Sequence, residues 1–175
     1  MSLQQAHNVI LVDEHDREVG LEEKLAAHQR ALLHRAVSVF ILNASGEMLL
    51  QKRAAGTYHS AGLWSNACCT HPYPGESPKA AAHRRLWEEL GFECPIEKAF
   101  SFVYREDVGG GLTEHEFDHV FLGRYDGNIT PCATEVEAVS WRATDAIEQD
   151  VKTNPHDYTP WFRICLPRIA ACIED

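Results

Sequence analysis

The sequence predicts one α+β domain in which helices pack on a mixed or antiparallel sheet. Short alternating or apolar segments rich in Val, Ile and Phe recur between turn-forming residues, and they predict strands. Other segments begin and end with residues typical of helix caps. The 175 residues suffice for one sizeable core and contain no internal repeat, linker or low-complexity segment. We therefore expect residues 1–175 to form a single domain.

The first half of the chain predicts mostly strands. These strands cover residues 8–13, 35–42 and 48–52, and the last two form a hairpin across a turn at 43–46. A short helix is expected over residues 21–27, and it leads into His28. Arg53 follows the third strand, and the small, polar residues 54–62 suit a loop over a site.

The second half contains the most sharply delimited helix. Ser77 as the N-cap and Pro78 at the first helical position predict its start, and Gly91 predicts its stop, so it spans residues 78–90. The remaining predictions are strands over 100–105, 114–122 and 136–141, a mobile glycine turn over 107–111, and helices over 144–151 (capped by Thr144) and 160–173 (disturbed by Pro167).

Composition and charge exclude several classes of function. A formal net charge of −10 argues against general binding to nucleic acid or to an anionic membrane. No segment is long and apolar enough to span a membrane, and no secretory signal is visible. The six cysteines are therefore expected to be reduced thiols of a cytoplasmic protein. An anionic ligand would require a local basic cluster or a metal ion.

A reactive thiol and an imidazole lie close together in the middle of the chain. Cys69 and His71 are two residues apart, so an extended backbone turns both side chains the same way. Cys68 then points to the opposite face, where a small buried apolar residue is the expected role. The acidic pair Glu88 and Glu89 follows on the last turn of the helix over 78–90. This strand, loop and helix together favour chemistry over scaffolding.

Two further groups of residues are ambiguous when each is considered alone. Glu114, Glu116 and Asp118 share one face of a strand, and such carboxylates need a cation, a shared proton or open solvent. A solvated edge is the common explanation. The histidines at 28 and 34 match no local metal motif, so a surface histidine and a hydrogen-bonded, partly buried one are expected.

Four segments of this chain together resemble the type 1 isopentenyl-diphosphate Δ-isomerases. The segments are 34–40 (HRAVSVF), 66–72 (NACCTHP), 114–116 (EHE) and 159–162 (TPWF). They occur in the order and spacing of that family and cover most of the chain. These enzymes are relatives of the Nudix hydrolases, so the resemblance implies a Nudix-like α/β/α sandwich with a mixed sheet.

The Nudix hydrolase motif is only partly preserved. Its pattern, G-x5-E-x7-R-E-U-x-E-E-x-G-U with U a bulky apolar residue, is matched at Glu76, Arg84, Leu86, Glu88, Glu89 and Gly91. Thr70 replaces the first glycine, and Arg85 replaces the first glutamate of the helical carboxylate cluster. Hydrolysis uses that cluster to hold metal beside phosphorus. The comparison therefore implies a retained fold and a lost hydrolytic centre.

The resemblance also implies two metal sites. One divalent ion, Mn²⁺ or Zn²⁺, would be held by His28, His34, His71, Glu114 and Glu116. The two histidines and the carboxylates of one strand face would then be ligands of the same ion. Glu89 would hold a separate Mg²⁺, whose other ligands come mostly from water and the substrate diphosphate.

The implied reaction is the 1,3-proton shift that interconverts isopentenyl and dimethylallyl diphosphate. It needs an acid and a base on opposite faces of the substrate, and Cys69 and Glu116 are the expected pair, with either as the acid. Tyr104 would orient Glu116 or relay its proton. Trp161 would place an aromatic face near the developing cation, although a core tryptophan is about equally compatible with the sequence. The diphosphate would be bound by Lys24, Arg53 and Arg85 together with Mg²⁺.

The chain departs from the family pattern in one loop. Thr57 and Ala61 stand where members typically carry lysine and proline. Loss of the lysine weakens substrate binding by roughly 1–3 kcal/mol unless His59 or another residue compensates. Two rival functions remain at this point: a Nudix pyrophosphohydrolase, which Arg85 disfavours, and a non-catalytic diphosphate-binding module, which would have no use for Cys69. The sequence does not specify an oligomeric state.

Overall fold

The computed structural model describes residues 8–57 and 59–174, which contain nine strands and four α-helices. The strands are β1 (Asn8–Val12), β2 (Glu18–Glu23), β3 (His34–Leu42), β4 (Met48–Arg53), β5 (Trp64–Ser65), β6 (Cys68–Thr70), β7 (Ile96–Gly109), β8 (Leu112–Arg124) and β9 (Val136–Arg142). The helices are α1 (Lys24–Gln29), α2 (Pro78–Leu90), α3 (Thr144–Thr153) and α4 (Pro160–Glu174).

Strand β3 is the centre of the mixed sheet. It pairs in parallel with β8 and antiparallel with β1, β4 and β6, while β2 extends the sheet beyond β1 and β7 beyond β8. Its residues are almost all buried, which matches its nearly continuous apolar sequence. A strand buried on both faces needs a cover on each side.

Helices provide that cover, so the core has two layers. Val37, Val39 and Ile41 pack with apolar residues of α2 on one side. Phe40 and Leu42, one residue out of phase, pack with α3 and α4 on the other side. This alternation is the period of two expected of a strand. The predicted α+β fold class and the α/β/α arrangement are confirmed.

Helix α2 begins and ends where its sequence predicts. The Ser77 side chain accepts a hydrogen bond from the Ala80 backbone N–H, and Pro78 is the first helical residue. Gly91 ends the helix with a φ of 72°, a left-handed conformation in which its N–H donates to the Trp87 carbonyl. The helix therefore presents its C-terminal glutamates at a fixed place beside the sheet.

The short helix predicted over residues 21–27 is misplaced. Residues up to Glu23 belong to β2, which pairs antiparallel with β1 and aligns Leu21 with Ile10. The helix starts at Lys24, because the Glu23 carboxylate caps it by accepting from the Ala26 N–H. Cross-strand pairing overrides the local helix preference here.

Two smaller predictions also need correction. Thr144 is the first residue of α3 and not its cap; Ala143 occupies the N-cap and provides no side-chain hydrogen bond. The glycine turn is shorter than predicted, because β7 continues to Gly109 and Asp107 pairs with Thr113 of β8. No helix in the described part of the chain combines the length and apolar character needed to cross a membrane.

Candidate active site

The predicted functional residues gather around one cavity of about 280 Å³. Those that line it are Lys24, Arg53, Cys69, His71, Arg85, Tyr104, Glu114, Glu116 and Trp161. His28 and His34 do not line the cavity, but each reaches a lining carboxylate from behind it. Glu89 likewise lies outside the lining and is bonded to Arg85.

The register of the sheet brings these residues together. His34 on β3 aligns with Glu116 on β8, and Glu116 aligns in turn with Tyr104 on β7. On the other side of β3, Ser38 aligns with Cys69 on β6. Residues far apart in sequence therefore become neighbours through strand pairing alone.

Five side chains form a compact group, which we call the His/Glu cluster: His28, His34, His71, Glu114 and Glu116. One nitrogen or oxygen from each residue lies within 4.8 Å of those of all the others. His28 Nε2 is 3.0 Å from Glu114 Oε2, and His71 Nε2 is 2.8 Å from Glu116 Oε1. His34 Nε2 lies 3.2 Å from His71 Nε2 and 3.6 Å from Glu116 Oε1.

The backbone sets the direction of two of these imidazoles. His28 Nδ1 lies 2.6 Å from the Lys24 carbonyl, and His34 Nδ1 lies 2.8 Å from the Leu32 carbonyl. A carbonyl can only accept, so both Nδ1 atoms carry a proton and both Nε2 atoms face the cluster, where a ring without a second proton offers its lone pair to an ion. Metal-ligating histidines are held in this way. The donor set of three imidazoles and two carboxylates therefore fits a metal ion.

The carboxylate face of β8 is buried, so the solvated edge expected for this strand alone is wrong. Glu114, Glu116 and Asp118 are 3%, 7% and 0% exposed. Burial, reinforced by the charge of Glu114, raises the pKa of Glu116 to about 7. Burial also acts to raise the pKa of Glu114, but hydrogen bonds from His28 and His59 outweigh it and hold that pKa well below its usual range. Such a cluster favours a bound cation.

Cys69 has a polar environment that the sequence reasoning missed. Its Sγ accepts from Asn66 Nδ2 at 3.2 Å and lies 3.6 Å from Ser38 Oγ. Ser38 Oγ donates at 2.7 Å to Oδ2 of the fully buried Asp118. Burial, with the charge of Asp118, raises the pKa of the Cys69 thiol to about 12. The sequence feature that could have revealed this environment is Ser38, the one hydroxyl residue among the otherwise apolar residues 36–42.

Tyr104 and Trp161 complete the wall around the reactive groups. Tyr104 Oη donates to Glu116 Oε2 at 2.6 Å, and burial followed by the Glu116 charge raises the tyrosine pKa well above its ordinary value. Trp161 Nε1 donates to Ser65 Oγ at 3.0 Å, so the indole is fixed in place. Trp161 is both a buried residue and a cavity-lining one, and the two interpretations of this residue are compatible.

Lys24, Arg53 and Arg85 contribute positive charge to the cavity, and we call them the basic group. The Arg53 guanidinium lies 5.4 Å from the centre of the Trp161 ring. Burial lowers the pKa of Lys24, and the charge of Glu114 partly offsets this effect. These cations give a protein of acidic net charge a local site for an anion.

Arg85 is engaged by carboxylates in this structure. Its guanidinium donates to Glu89 Oε1 at 2.6 and 2.9 Å and also binds Glu88 and Glu135. Gln51 Nε2 donates to the other Glu89 oxygen at 2.8 Å. Burial raises the pKa of Glu89, although the Arg85 charge opposes it. The Arg85 guanidinium is therefore paired with three carboxylates.

Comparison with known proteins shows the family to which this chain belongs. Residues 32–162 match the model of the NUDIX domain family. The chain is 53% identical over 166 residues to isopentenyl-diphosphate Δ-isomerase 2 of Aromatoleum aromaticum, a match that covers 94% of this chain and 87% of that protein. The chain belongs to the isopentenyl-diphosphate Δ-isomerase family. It is an isomerase with a NUDIX domain.

A second member of the isopentenyl-diphosphate Δ-isomerase family and two solved structures extend the comparison. The Serratia proteamaculans enzyme of that name is 44% identical over 163 residues, with 93% of this chain and 91% of that protein covered. The protein DR0079 of Deinococcus radiodurans has a TM-score of 0.77 at 17% identity, covering 92% of this chain and 98% of that one. The MutT protein of Methanosarcina mazei has a TM-score of 0.66 at 22% identity, covering 82% and 96%. At these identities the two structures establish the fold alone.

Proposed function

We propose that this chain interconverts isopentenyl diphosphate and dimethylallyl diphosphate. The observation that carries the proposal is the presence of Cys69 and Glu116 in the lining of one small cavity, in a member of this isomerase family. An alkene that is not activated needs one group to donate a proton and another to remove one. A thiol and a carboxyl can serve as that pair.

The cavity lining carries the two kinds of group that such a substrate requires. The basic group offers one ammonium and two guanidinium groups to the diphosphate. Trp161 presents an indole near the reactive groups, where an aromatic face stabilises positive charge developing on the branched carbon. The cavity is small, which favours a five-carbon chain over a longer one.

The proton shift is then divided between two side chains. One of Cys69 and Glu116 adds a proton to the terminal alkene carbon, and the other removes a proton from the allylic carbon next to the diphosphate-bearing carbon. The double bond moves by one position, and no proton is gained or lost overall. The Tyr104 hydroxyl, 2.6 Å from Glu116 Oε2, holds the carboxyl in orientation or relays its proton.

The His/Glu cluster is proposed to hold one Mn²⁺ or Zn²⁺ ion. The inward Nε2 atoms of His28 and His34 and the two buried carboxylates support this assignment. The bound ion would supply positive charge that offsets the repulsion between Glu114 and Glu116 and fixes the Glu116 carboxyl. The protein contributes the rigid backbone contacts that orient the rings.

Glu89 is proposed to bind Mg²⁺ together with the substrate diphosphate. It is a buried carboxylate held on both oxygens, by Gln51 and Arg85, at the end of a capped helix. The diphosphate would replace Glu135, whose side chain is 41% exposed, as a partner of Arg85. The engagement of Arg85 by these carboxylates also argues against a hydrolytic carboxylate cluster on α2.

The test is incubation of the purified protein with isopentenyl diphosphate and Mg²⁺ in deuterated water, followed by NMR of the product. We expect dimethylallyl diphosphate that carries deuterium. Cys69→Ala and Glu116→Gln should each lower kcat by roughly 10²–10⁴-fold, the usual contribution of a general acid or base. Cys172→Ala, which removes an exposed thiol, is the matched control and should be unaffected.

Two results would contradict the proposal. Release of phosphate without isomerisation would assign the chain to the hydrolases. Turnover in Cys69→Ala within a few-fold of the unmodified protein would remove this residue from the catalytic pair while leaving the reaction class intact.

A further inference from the structure

His59 contacts the His/Glu cluster without belonging to it. Its Nε2 lies 2.8 Å from Glu114 Oε1, and its side chain is only 9% exposed. The residue comes from the loop between β4 and β5, which contributes no member of the cluster. A buried imidazole beside a candidate metal ligand is therefore supplied by a separate segment.

The two oxygens of Glu114 face different partners. Oε2 is the atom that approaches the cluster, at 3.0 Å from His28 Nε2 and 4.0 Å from His34 Nε2. Oε1 is the atom bound by His59. A hydrogen bond to one carboxylate oxygen fixes the direction of the other oxygen. The contact of His59 with Oε1 therefore favours the orientation that directs Oε2 toward the ion position.

His59 is itself held from several directions. Its ring stands edge-on to Trp161, with ring centroids 5.5 Å apart and planes at 87°. Its Nδ1 lies 3.3 Å from Ser60 Oγ, and its carbonyl accepts from Arg53 Nη2 at 3.1 Å. Ser60 has a φ of 53°, a left-handed conformation uncommon for a residue other than glycine. Both the side chain and the backbone of His59 are therefore constrained.

We propose that His59 is a positioning residue that orients Glu114 for the metal ion. Through its carbonyl it also links the ion site to Arg53 of the basic group, so one residue contacts both the proposed metal ligands and a proposed diphosphate ligand. The inference rests on the metal site in the proposed function. Outer-shell partners of metal ligands typically contribute 10–100-fold to metal affinity.

The test measures metal affinity and does not depend on turnover. Protein stripped with a chelator is titrated with Mn²⁺, with no substrate present, and free Mn²⁺ is followed by EPR. We expect His59→Ala to bind Mn²⁺ about 10–100-fold more weakly than the unmodified protein. His59→Gln can still donate to Glu114 and should recover most of that loss. His15→Ala, on a side chain that is 66% exposed, is the histidine control.

The outcomes separate this inference from the site on which it rests. Weakened binding in His59→Ala with recovery in His59→Gln supports it. Equal affinity in His59→Ala and the unmodified protein overturns it and leaves the metal site standing. Equal weakening in the alanine and glutamine variants also overturns it, because the hydrogen bond would then not be the cause. No Mn²⁺ binding to the unmodified protein overturns both the metal site and the inference.

Discussion

Cys68 and Cys69 are identical neighbours in sequence, yet their surroundings differ. Cys68 is fully buried in the layer that packs on α2, whereas Cys69 faces the cavity and the polar group formed by Asn66 and Ser38. The period of two along β6 makes this separation, and it is visible in the sequence alone. The separation of the two thiols onto opposite faces of the strand was therefore predictable.

The raised pKa of Cys69 predicts how this thiol reacts with an alkylating agent. With a pKa of about 12, only about one thiol in 10⁵ is ionised at pH 7. The rate of alkylation by iodoacetamide should therefore rise about tenfold per pH unit from pH 7 to 10, with no plateau. Mass spectrometry of the peptide that contains Cys69 measures this rate.

Protein unfolded in urea is the control for the alkylation experiment. Its cysteines should reach a plateau near the ordinary thiol pKa of about 8.5. A plateau below pH 9 in the folded protein would contradict the raised pKa and the burial that causes it.

The roles of Ser38 and His59 could not be derived from their positions in the sequence. Each acts on a residue that is distant along the chain, Cys69 and Glu114 respectively, and the contact exists only after strand pairing and loop closure. No local spacing reports such contacts. By contrast, Tyr104 and Glu116 were linked through the family resemblance, and the structure places them in hydrogen-bond contact.

Among the elements, α2 was predictable to the residue and β2 was not. Ser77, Pro78 and Gly91 are local signals that act on the backbone directly. β2 depends on pairing with β1, a contact between segments, and its exposed Val19 and Leu21 carry no signal of burial. Misassignment of residues 21–23 follows from this difference, while the cap at Glu23 fixes the true start of α1.

The C-terminal end of α2 should tolerate no side chain larger than that of glycine. A methyl group at Gly91 would lie 2.9 Å from the Thr130 backbone oxygen, in addition to the cost of a positive φ. Gly91→Ala should therefore lower the free energy of unfolding by about 2–4 kcal/mol, combining a left-handed alanine with overpacking. Urea denaturation measures the loss.

Gly46→Ala separates the two causes. Gly46 has a similar φ of 77° but open space around its Cα, so its loss should be only about 1–2 kcal/mol. Equal losses in the two variants would show that the contact with Thr130 contributes nothing.

For the whole molecule, the two-layer core follows from burial of β3 on both faces, an arrangement that only the family resemblance implied. Patterns of period two predicted the strands, and cap residues predicted the main helix. The convergence of α1, β3, β8 and the segment after β6 on one cluster was expected only through the family resemblance, because no spacing within a single segment reveals it. The mixed order of the sheet likewise depends on long-range pairing.

Metal binding should stabilise the whole fold. An ion that binds only the folded protein adds about 2.7 kcal/mol at 100 times its dissociation constant, so Mn²⁺ should raise Tm and a chelator should lower it. His28→Ala should bind less metal and show a smaller rise. Differential scanning calorimetry and metal analysis measure both. Unchanged metal content in this variant would remove His28 from the ligand set.

The same stabilisation should weaken as the pH falls. Burial lowers the pKa of His28, but the hydrogen bond and charge of Glu114, the Lys24 carbonyl and the charge of Glu116 together outweigh it and raise the pKa. Protons compete with a metal ion for the ring nitrogen, and a raised pKa makes this competition begin at a higher pH. The Mn²⁺-dependent rise in Tm should therefore be smaller at pH 5.5 than at pH 8.

The parallel pairing of β3 with β8 places His34 opposite Glu116. A slip of one residue in this pairing would send every side chain of one strand to the wrong face and leave three imidazoles without their carboxylates. Only a correctly aligned sheet brings the His/Glu cluster together, so binding of the proposed ion would require the native strand register. During refolding, recovery of metal binding would then be a stricter sign of native structure than recovery of secondary structure.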